Sequence, residues 1–321
     1  MTGASVPRVS IGLPVFNGER FIAESIESVL AQSDANLELV ISDNASTDGT
    51  AALCRRYAER DPRVRYHRAE CNLGAAWNYN RVLALSRGEL FKWLGHDDRI
   101  APTFVARCVA VLDQAGPEVV LCYPRTQIID EAGTPRGIYP DDLELDEPKP
   151  RQRLVHLVRR FNLCNPVLGL IRREALERTR RIGPFVSSDL VLLAELALLG
   201  RFVELPEPLL ERRVHAASSR AANRSAREVA DWFAPRARRR RFVWPRGRLF
   251  LEILRSVERA PLSPGERLTA AIAFIAAWAT RWSRVHLGTA RAHLFGRPSP
   301  IAAPSPGDLP SAGGGSGGAA A

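Results

Sequence analysis

Lysine is almost missing from this chain. Only Lys92 and Lys149 are present, and arginine supplies the other 43 of the 45 basic residues, which reads as compositional bias. Cysteine is sparse and odd in number. Cys54, Cys71, Cys108, Cys122 and Cys164 have no CxxC spacing, which argues against a disulfide framework or thiolate zinc site and fits reduced, packed thiols. Long apolar runs are also lacking. The longest without a charge covers 268–280, 13 residues, against about 20 needed to span a bilayer. The start, MTGASVPRVS, has neither a basic region nor an apolar stretch, so no secretory leader is expected. No glycine-rich phosphate loop with a basic residue lies near the N-terminus, which leaves a nucleotidyltransferase without support. These absences predict a cytoplasmic protein.

What is present is ordinary in amount and uneven in place. The chain has 321 residues, 45% hydrophobic and 25% charged, a globular composition. Its length suits two domains, or one large α/β domain with an appendage. The net charge of +10 is not spread along it. Residues 1–234 carry 31 basic and 31 acidic side chains, whereas 235–297 carries 14 arginines against Glu252, Glu258 and Glu266. A neutral larger part argues against a nucleic-acid partner. From 298 the chain is Pro, Gly, Ala and Ser with one charge, Asp308, and disorder is expected there. The expected division is therefore 1–234, a basic helical segment 235–297, and a tail 298–321.

Strand and helix patterns alternate over the first 125 residues. Apolar runs at 9–13, 37–41, 64–66, 90–94 and 119–123 are separated by helical spacing at 21–30, 51–60, 75–85 and 102–114. In the first helix Phe21, Ile22, Ile26, Val29 and Leu30 share a face. This predicts an α/β protein with a Rossmann-like, mostly parallel sheet covered by helices on both faces. Ligands bind beyond the carboxyl ends of such strands, where the polar clusters 14–18, 43–48 and 95–98 fall. Past 125 the pattern predicts a hairpin from 126–129 and 137–139, a loop over 141–150 and a helix over 154–161. A strand over 168–172, a helix over 189–199 and closing strands over 202–204 and 209–214 follow. Further on, 249–257 is helical, and Ser263-Pro-Gly-Glu266 is a capping box opening another helix.

Chemistry concentrates at few positions. Asp97 and Asp98, in Leu94-Gly-His-Asp-Asp-Arg99, follow a strand at the ligand-binding edge. A carboxylate beside an imidazole, His96, suits Mg²⁺ or Mn²⁺, with further oxygen ligands from a substrate diphosphate. The same pair also reads as a helix cap near Pro102 or a solvated turn. Asp43 suits hydrogen bonds from a nucleobase or ribose, or an Asx turn, and Asp48 suits an N-cap. No single site decides between these.

Their combination is more specific. Val9-Ser-Ile-Gly-Leu-Pro-Val-Phe-Asn-Gly18, Ile41-Ser-Asp-Asn-Ala-Ser-Thr-Asp-Gly-Thr50, Asn72-Leu-Gly74 with Asn80, Gly88-Glu-Leu-Phe91 and His96-Asp-Asp98 occur in order. Together they resemble family 2 glycosyltransferases, inverting nucleotide-diphospho-sugar transferases with the GT-A fold, from about Val9 to Ser219. The resemblance implies that Pro14, Val15 and Asn17 line the pocket for base and ribose and that Asp43 binds the base. It implies that Asn72, Gly74 and Asn80 lie close to the nucleotide, with Asn80 touching it. It also implies that Asp97 is the metal-binding aspartate of a D-x-D motif whose first aspartate is replaced by Gly95, with His96 in the middle. Ser187-Ser-Asp-Leu190 matches the position of the catalytic base, which assigns that role to Asp189. On local grounds alone Asp189 reads as a helix cap. Arg213 and His215 match an R-x-H at a strand end, where His215 completes the metal or diphosphate site.

The chemistry that follows is a single displacement. A divalent cation on the diphosphate stabilises the departing charge, and a positioned carboxylate takes the proton of the acceptor hydroxyl. The expected role is surface polysaccharide or glycolipid biosynthesis, with a glycan or lipid-linked acceptor. A non-catalytic nucleotide or glycan binder on the same fold is the alternative, suggested by Gly95. In the basic segment, arginines near Ile272, Phe274, Ile275, Trp278 and Trp282 suit an anionic membrane face. A helical appendage packed on the core, with a solvated arginine face, suits the same residues. A cytoplasmic protein, peripheral on the inner membrane face under the first reading, is expected.

Overall fold

The strand pattern becomes a parallel block. In the computed structural model, β1 (Val9–Val15), β2 (Leu37–Asp43), β3 (Val64–Arg68) and β4 (Leu90–Trp93) lie in the order β3-β2-β1-β4. Every residue of β1 and β2 is buried, as strands covered on both faces require. Val15 stands opposite Asp43 at the carboxyl ends. Helices α1 (Ile22–Leu30), α2 (Thr50–Arg60) and α3 (Ala75–Leu85) connect these strands, and α4 (Phe104–Gln114) follows them. The structure describes residues 6–139, 143–216, 226–233 and 245–295, with backbone alone at 226, 227, 229, 230 and 284–295. The expected tail and the arginine run at 238–241 lie outside these residues.

The sheet continues through β8 (Leu170–Arg172), β6 (Val119–Ile129), β9 (Arg201–Arg213) and β5 (Arg99–Ile100), while β7 (Pro135–Tyr139) pairs with β6. Here β8 runs antiparallel to both β4 and β6, and β9 runs parallel to β6. The sheet is therefore mixed, but β1, β2, β3, β4, β6 and β9 share one direction. Two strands differ from the sequence pattern. β9 is one strand where two were expected, because its ladder skips from Leu205 to Leu210 and Pro206 and Pro208 fall in the skip, where a missing amide costs no ladder bond. β5 is only two residues long and has no periodic signal. It pairs with Leu210 and Glu211, so the residues just before it end beside the end of β9.

Six further helices are α5 (Pro150–Arg160), α6 (Arg173–Glu177), α7 (Ser188–Leu199), α8 (Ala226–Phe233), α9 (Pro245–Arg259) and α10 (Pro264–Phe295). The sequence of α7, SDLVLLAELALL, has no polar face, and it is buried from Leu190 to Leu198. A helix apolar all round needs cover on every side. α5 and α9 both pack on α7, and α10 packs on α5. Leu249, Ile253 and Val257 of α9 and Ala270, Phe274 and Ala277 of α10 belong to the same hydrophobic cluster as β1 and β4. α10 opens with the expected capping box: Ser263 N donates to Glu266 Oε2 (3.0 Å) and Glu266 N to Ser263 Oγ (3.3 Å). Among the described residues no helix is long and apolar enough to cross a membrane.

Candidate active site

Two loops at the carboxyl ends of β1 and β2 are tied to each other. Asn17 N donates to Ser46 Oγ (2.9 Å), Thr47 N to Asn17 Oδ1 (2.8 Å) and Gly18 N to Thr50 Oγ1 (2.9 Å). Asn17 and Ala45 both have positive φ, +53° and +65°, conformations that L residues hold only when their surroundings enforce them. A Cβ on Gly18 would lie 2.7 Å from His96 Cδ2, so the imidazole from the β4 loop rests directly on the backbone after β1. Pro14 and Val15 are buried, Val15 within the core cluster, while Phe16 and Asn17 are exposed and His96 is half-buried. The rim open to a ligand is thus Phe16, Asn17 and His96.

Asp43 lies at the base of this rim, fully buried and fully used. Its Oδ1 accepts Ser46 N (2.7 Å), and its Oδ2 accepts Tyr66 Oη (2.7 Å) and Arg68 Nη1 (3.1 Å). A nucleobase would have to compete with those donors. Asn44, which the sequence reading passed over, holds the next loop: its Nδ2 donates to Asn72 Oδ1 (2.9 Å) and Gly74 O (3.2 Å), and its Oδ1 accepts Leu73 N (3.0 Å). Asn80 was expected to touch the nucleotide. Both ends of its amide instead meet Ile182, with Nδ2 donating to the carbonyl (2.8 Å) and Oδ1 accepting the amide (3.1 Å). It joins α3 to the loop that precedes α7.

The aspartate pair has split roles. Asp98 is buried; its Oδ1 accepts Arg213 N (3.0 Å), and its carbonyl accepts Ser25 Oγ (2.7 Å). Asp97 is half-buried, and its Oδ2 lies 3.0 Å from His215 Nε2. Arg213 fastens this corner. Its guanidinium donates to Asp97 O (3.0 Å), Glu131 O (2.8 Å) and Glu24 Oε2 (2.7 Å) and covers Phe21 at 4.7 Å. His215 packs on the same ring at 4.8 Å. Burial works against the Asp97 carboxylate, but the His215 hydrogen bond and the charges of His96 and His215 outweigh it and hold the group below the ordinary carboxylate range. Asp98 is pushed up to about 7 by burial and by the charge of Asp97.

A divalent cation here would take the place of the His215–Asp97 hydrogen bond. Two neighbouring ligands of an octahedral Mg²⁺ about 2.1 Å from the ion stand about 3 Å apart, so Asp97 Oδ2 and His215 Nε2 at 3.0 Å could ligate it once Nε2 has given up its proton. His215 Nδ1 is buried without a hydrogen-bond partner, so the ring is not committed to one tautomer by its far side. No group of three or more metal-ligating side chains occurs among the described residues. Two protein ligands leave positions for phosphate oxygens and water, as magnesium sites that share a substrate do.

Asp189 occupies the first turn of α7 behind Ser187, whose φ is +63°, and its Oδ1 accepts Leu190 N (2.9 Å). Ser187, the residue at the cap, makes no side-chain capping bond. Tyr79 stands on α3 with its ring 6.4 Å from that of Trp93. Its phenol is raised by burial first, and then by the charges of Asp97, Asp98 and Asp189, with Arg212 opposing. Arg212 donates to Leu163 O (3.3 Å) and to Asn165 Oδ1. Neither Tyr79 nor Arg212 was singled out from sequence. A signal for Arg212 existed: in an alternating strand the doublet Arg212-Arg213 sends one side chain to each face.

A family model described as "Glycosyl transferase family 2" matches residues 10–179. An "Uncharacterized glycosyltransferase" of Nostoc sp. is 28% identical over 226 residues, 68% of each chain. One of Rickettsia felis is 34% identical over 141 residues, 43% of this chain and 23% of that relative. The matches cover 14% to 38% of the length of the first three curated relatives. Among solved structures, S. aureus TarS 1–349 in complex with UDP-GlcNAc superposes with a TM-score of 0.63 at 16% identity, over 85% of this chain and 73% of that one. The mannosyltransferase PcManGT of Pyrobaculum calidifontis, in complex with GDP-Man and Mn²⁺, superposes with a TM-score of 0.51 at 23% identity, over 90% and 81%. These likenesses identify the GT-A architecture.

Proposed function

Because the chain belongs to glycosyl transferase family 2, we propose that it moves a sugar from a nucleotide-diphosphate donor to a hydroxyl acceptor with inversion at the anomeric carbon. The observation that carries this reading is the meeting of Asp97 and His215 at 3.0 Å, beyond the carboxyl end of β4, where open α/β sheets bind ligands. In this reading Phe16, Asn17 and His96 receive the base and ribose. Pro14 and Val15 form the floor, and Asp43 keeps the rim in shape. Asp97 and His215 would hold Mg²⁺ or Mn²⁺, which when bound supplies positive charge to the diphosphate leaving group. Arg212 adds a fixed cation from the side of Asn165. Asp189 accepts the proton of the acceptor hydroxyl as it attacks. One carboxylate suffices, because no second one is needed to protonate the leaving group as in a glycoside hydrolase.

The structural relatives carry UDP-GlcNAc in one case and GDP-Man in the other, so a donor panel on both nucleotides is the direct test. Turnover should depend on Mn²⁺ or Mg²⁺. Asp189→Asn should lower it by about 10²- to 10⁴-fold with the fold intact by circular dichroism, and Asp97→Ala should abolish the metal dependence. Full activity in both variants rejects the assignment. Binding of UDP or GDP without turnover on any donor points to a nucleotide-binding protein instead. The acceptor is proposed to be a glycan or lipid-linked hydroxyl in surface polysaccharide or glycolipid biosynthesis, reached at an anionic membrane face. Support for that face is the aliphatic stripe of α10, where Leu268, Ile272 and Ile275 are exposed. Phe274 and Trp278, expected at the lipid with Ile272 and Ile275, instead pack on Phe250, Phe274 stacked at 5.2 Å and Trp278 tilted at 5.6 Å.

A further inference from the structure

Two loops lead to Asp189 and to Asn165, and side chains of the C-terminal helices hold both. The first, residues 178–187, joins α6 to α7 and ends at Asp189. Its anchor is Arg180, whose backbone amide donates to Glu195 Oε2 (2.8 Å) within α7. The Arg180 guanidinium pairs with the Glu195 and Glu252 carboxylates and donates to Glu252 O (3.0 Å) and Ser256 Oγ (2.8 Å) of α9. Farther along the loop, Arg248 of α9 covers the Phe185 ring at 4.2 Å. The second loop, 161–164, leads from α5 to the short 3-10 turn at Asn165–Leu168. Arg281 of α10 donates to Arg159 O (2.8 Å) and Phe161 O (2.9 Å) and lies over the Phe161 ring at 3.9 Å. Asn165, at the end of this loop, accepts from Arg212.

Both loops hold non-glycine residues in the left-handed region. Arg181 and Ser187 in the first have φ of +59° and +63°, and Cys164 in the second has φ of +56°. None of the three is glycine. Such conformations last only where the surroundings over-determine them, and here α9 and α10 supply part of that determination. A helical appendage that merely covered α7 would need apolar contacts alone. Arg180, Glu252 and Arg281 add charged groups aimed at loop backbone and at other loop side chains.

We propose that the α9–α10 pair is a positioning element of the site, in which Glu252 through Arg180, and Arg281 through Phe161, set the loops that lead to Asp189 and to Asn165, the partner of Arg212. The activity arm of the test rests on the glycosyl-transfer reading; the exchange arm does not. In the full chain, Glu252→Ala should speed amide exchange several-fold across 178–187 while peptides of β1 to α3 stay unchanged. The dissociation constants of UDP and GDP, each with Mn²⁺, should stay within about twofold, while turnover falls about tenfold or more, as small misplacements of a reacting group do. Glu252→Gln, which keeps an acceptor for Arg180, should restore most of both losses. Arg281→Met should act in the same way on 159–165. Should Glu252→Ala fail to fold, Arg248→Ala removes the Phe185 stack and is read by the same exchange. Unchanged loop exchange in these variants overturns the proposal. So does a fall in turnover matched by an equal fall in nucleotide affinity without rescue by Glu252→Gln, since that is the mark of general scaffolding. A wild-type protein that transfers nothing rejects the glycosyl-transfer reading, and loop exchange then decides the positioning role by itself.

Discussion

At the scale of single residues, adjacent aspartates divide structure from chemistry. Asp98 is spent on the Arg213 amide and leaves Asp97 beside His215. Gly95 belongs to the same economy of space, since a Cβ there would lie 2.6 Å from Asp98 Oδ2 and 2.9 Å from Asp97 Oδ1. Both carboxylates are tethered, so neither yields easily. Gly95→Asp, which rebuilds the first position of the family motif, should destabilise the protein by about 1–3 kcal/mol in urea unfolding. Wild-type stability in that variant would mean that the loop relaxes freely. Lys92 is a second buried charge, donating to Trp93 O (2.9 Å) over the Phe104 ring at 4.5 Å. Burial lowers its pKa from 10.5 to about 7. Between those values the unfolded chain holds a proton that the folded chain has released. Unfolding therefore takes up a proton, and stability rises as pH rises from 7 toward 10. Urea midpoints should show this rise, and Lys92→Met should flatten it by up to a few kcal/mol.

At the scale of elements, the short and irregular pieces set the site. β5 is two residues long, yet its pairing with Leu210 and Glu211 brings the Asp97 loop to the strand end that carries His215. α7 makes the opposite case, being long, apolar and wholly dependent on its neighbours. Phe274 of α10 is fully buried against Phe250. Phe274→Ala should cost about 3–5 kcal/mol, with calorimetry showing a single transition because α9 and α10 share the core of the sheet. A separate low-temperature transition would mean that the C-terminal helices fold as their own unit.

At the scale of the molecule, charge is unevenly placed. The neutral part holds the sheet and the site, and the arginine excess lies in 235–297. The helices of that segment complete the core, so deleting them would uncover α7 and confuse loss of a surface with loss of the fold. Substitution on the outer stripe separates the two. Sedimentation with phosphatidylglycerol vesicles should fall at least several-fold in a Leu268→Ser, Ile272→Ser, Ile275→Ser variant, with the thermal midpoint nearly unchanged, since all three are exposed. Equal lipid binding by the triple variant would discard the stripe as the contact.

Much of this was legible in the chain. Alternating apolar runs fixed the strands β1 to β4 and the helices between them, because burial on both faces demands continuous apolar sequence. The capping box marked the start of α10 through side-chain chemistry confined to four residues. The ordered motif blocks identified the family. Contacts between residues far apart in the chain have no local signal. The meeting of His215 with Asp97 across 118 positions followed only from the family resemblance, which put both at one site, and nothing told that Asn80 would be taken up by Ile182. Nor did anything local show that Phe274 and Trp278 would turn inward while Leu268 and Ile272 faced out. α7 did carry a hint, since a helix without a polar face announces a cover and leaves its identity open. Sequence alone determined which segments form strands and helices, because periodicity and capping act over a few residues. The tertiary structure alone decided which side chains share the site, because strand order and helix packing bring distant residues together.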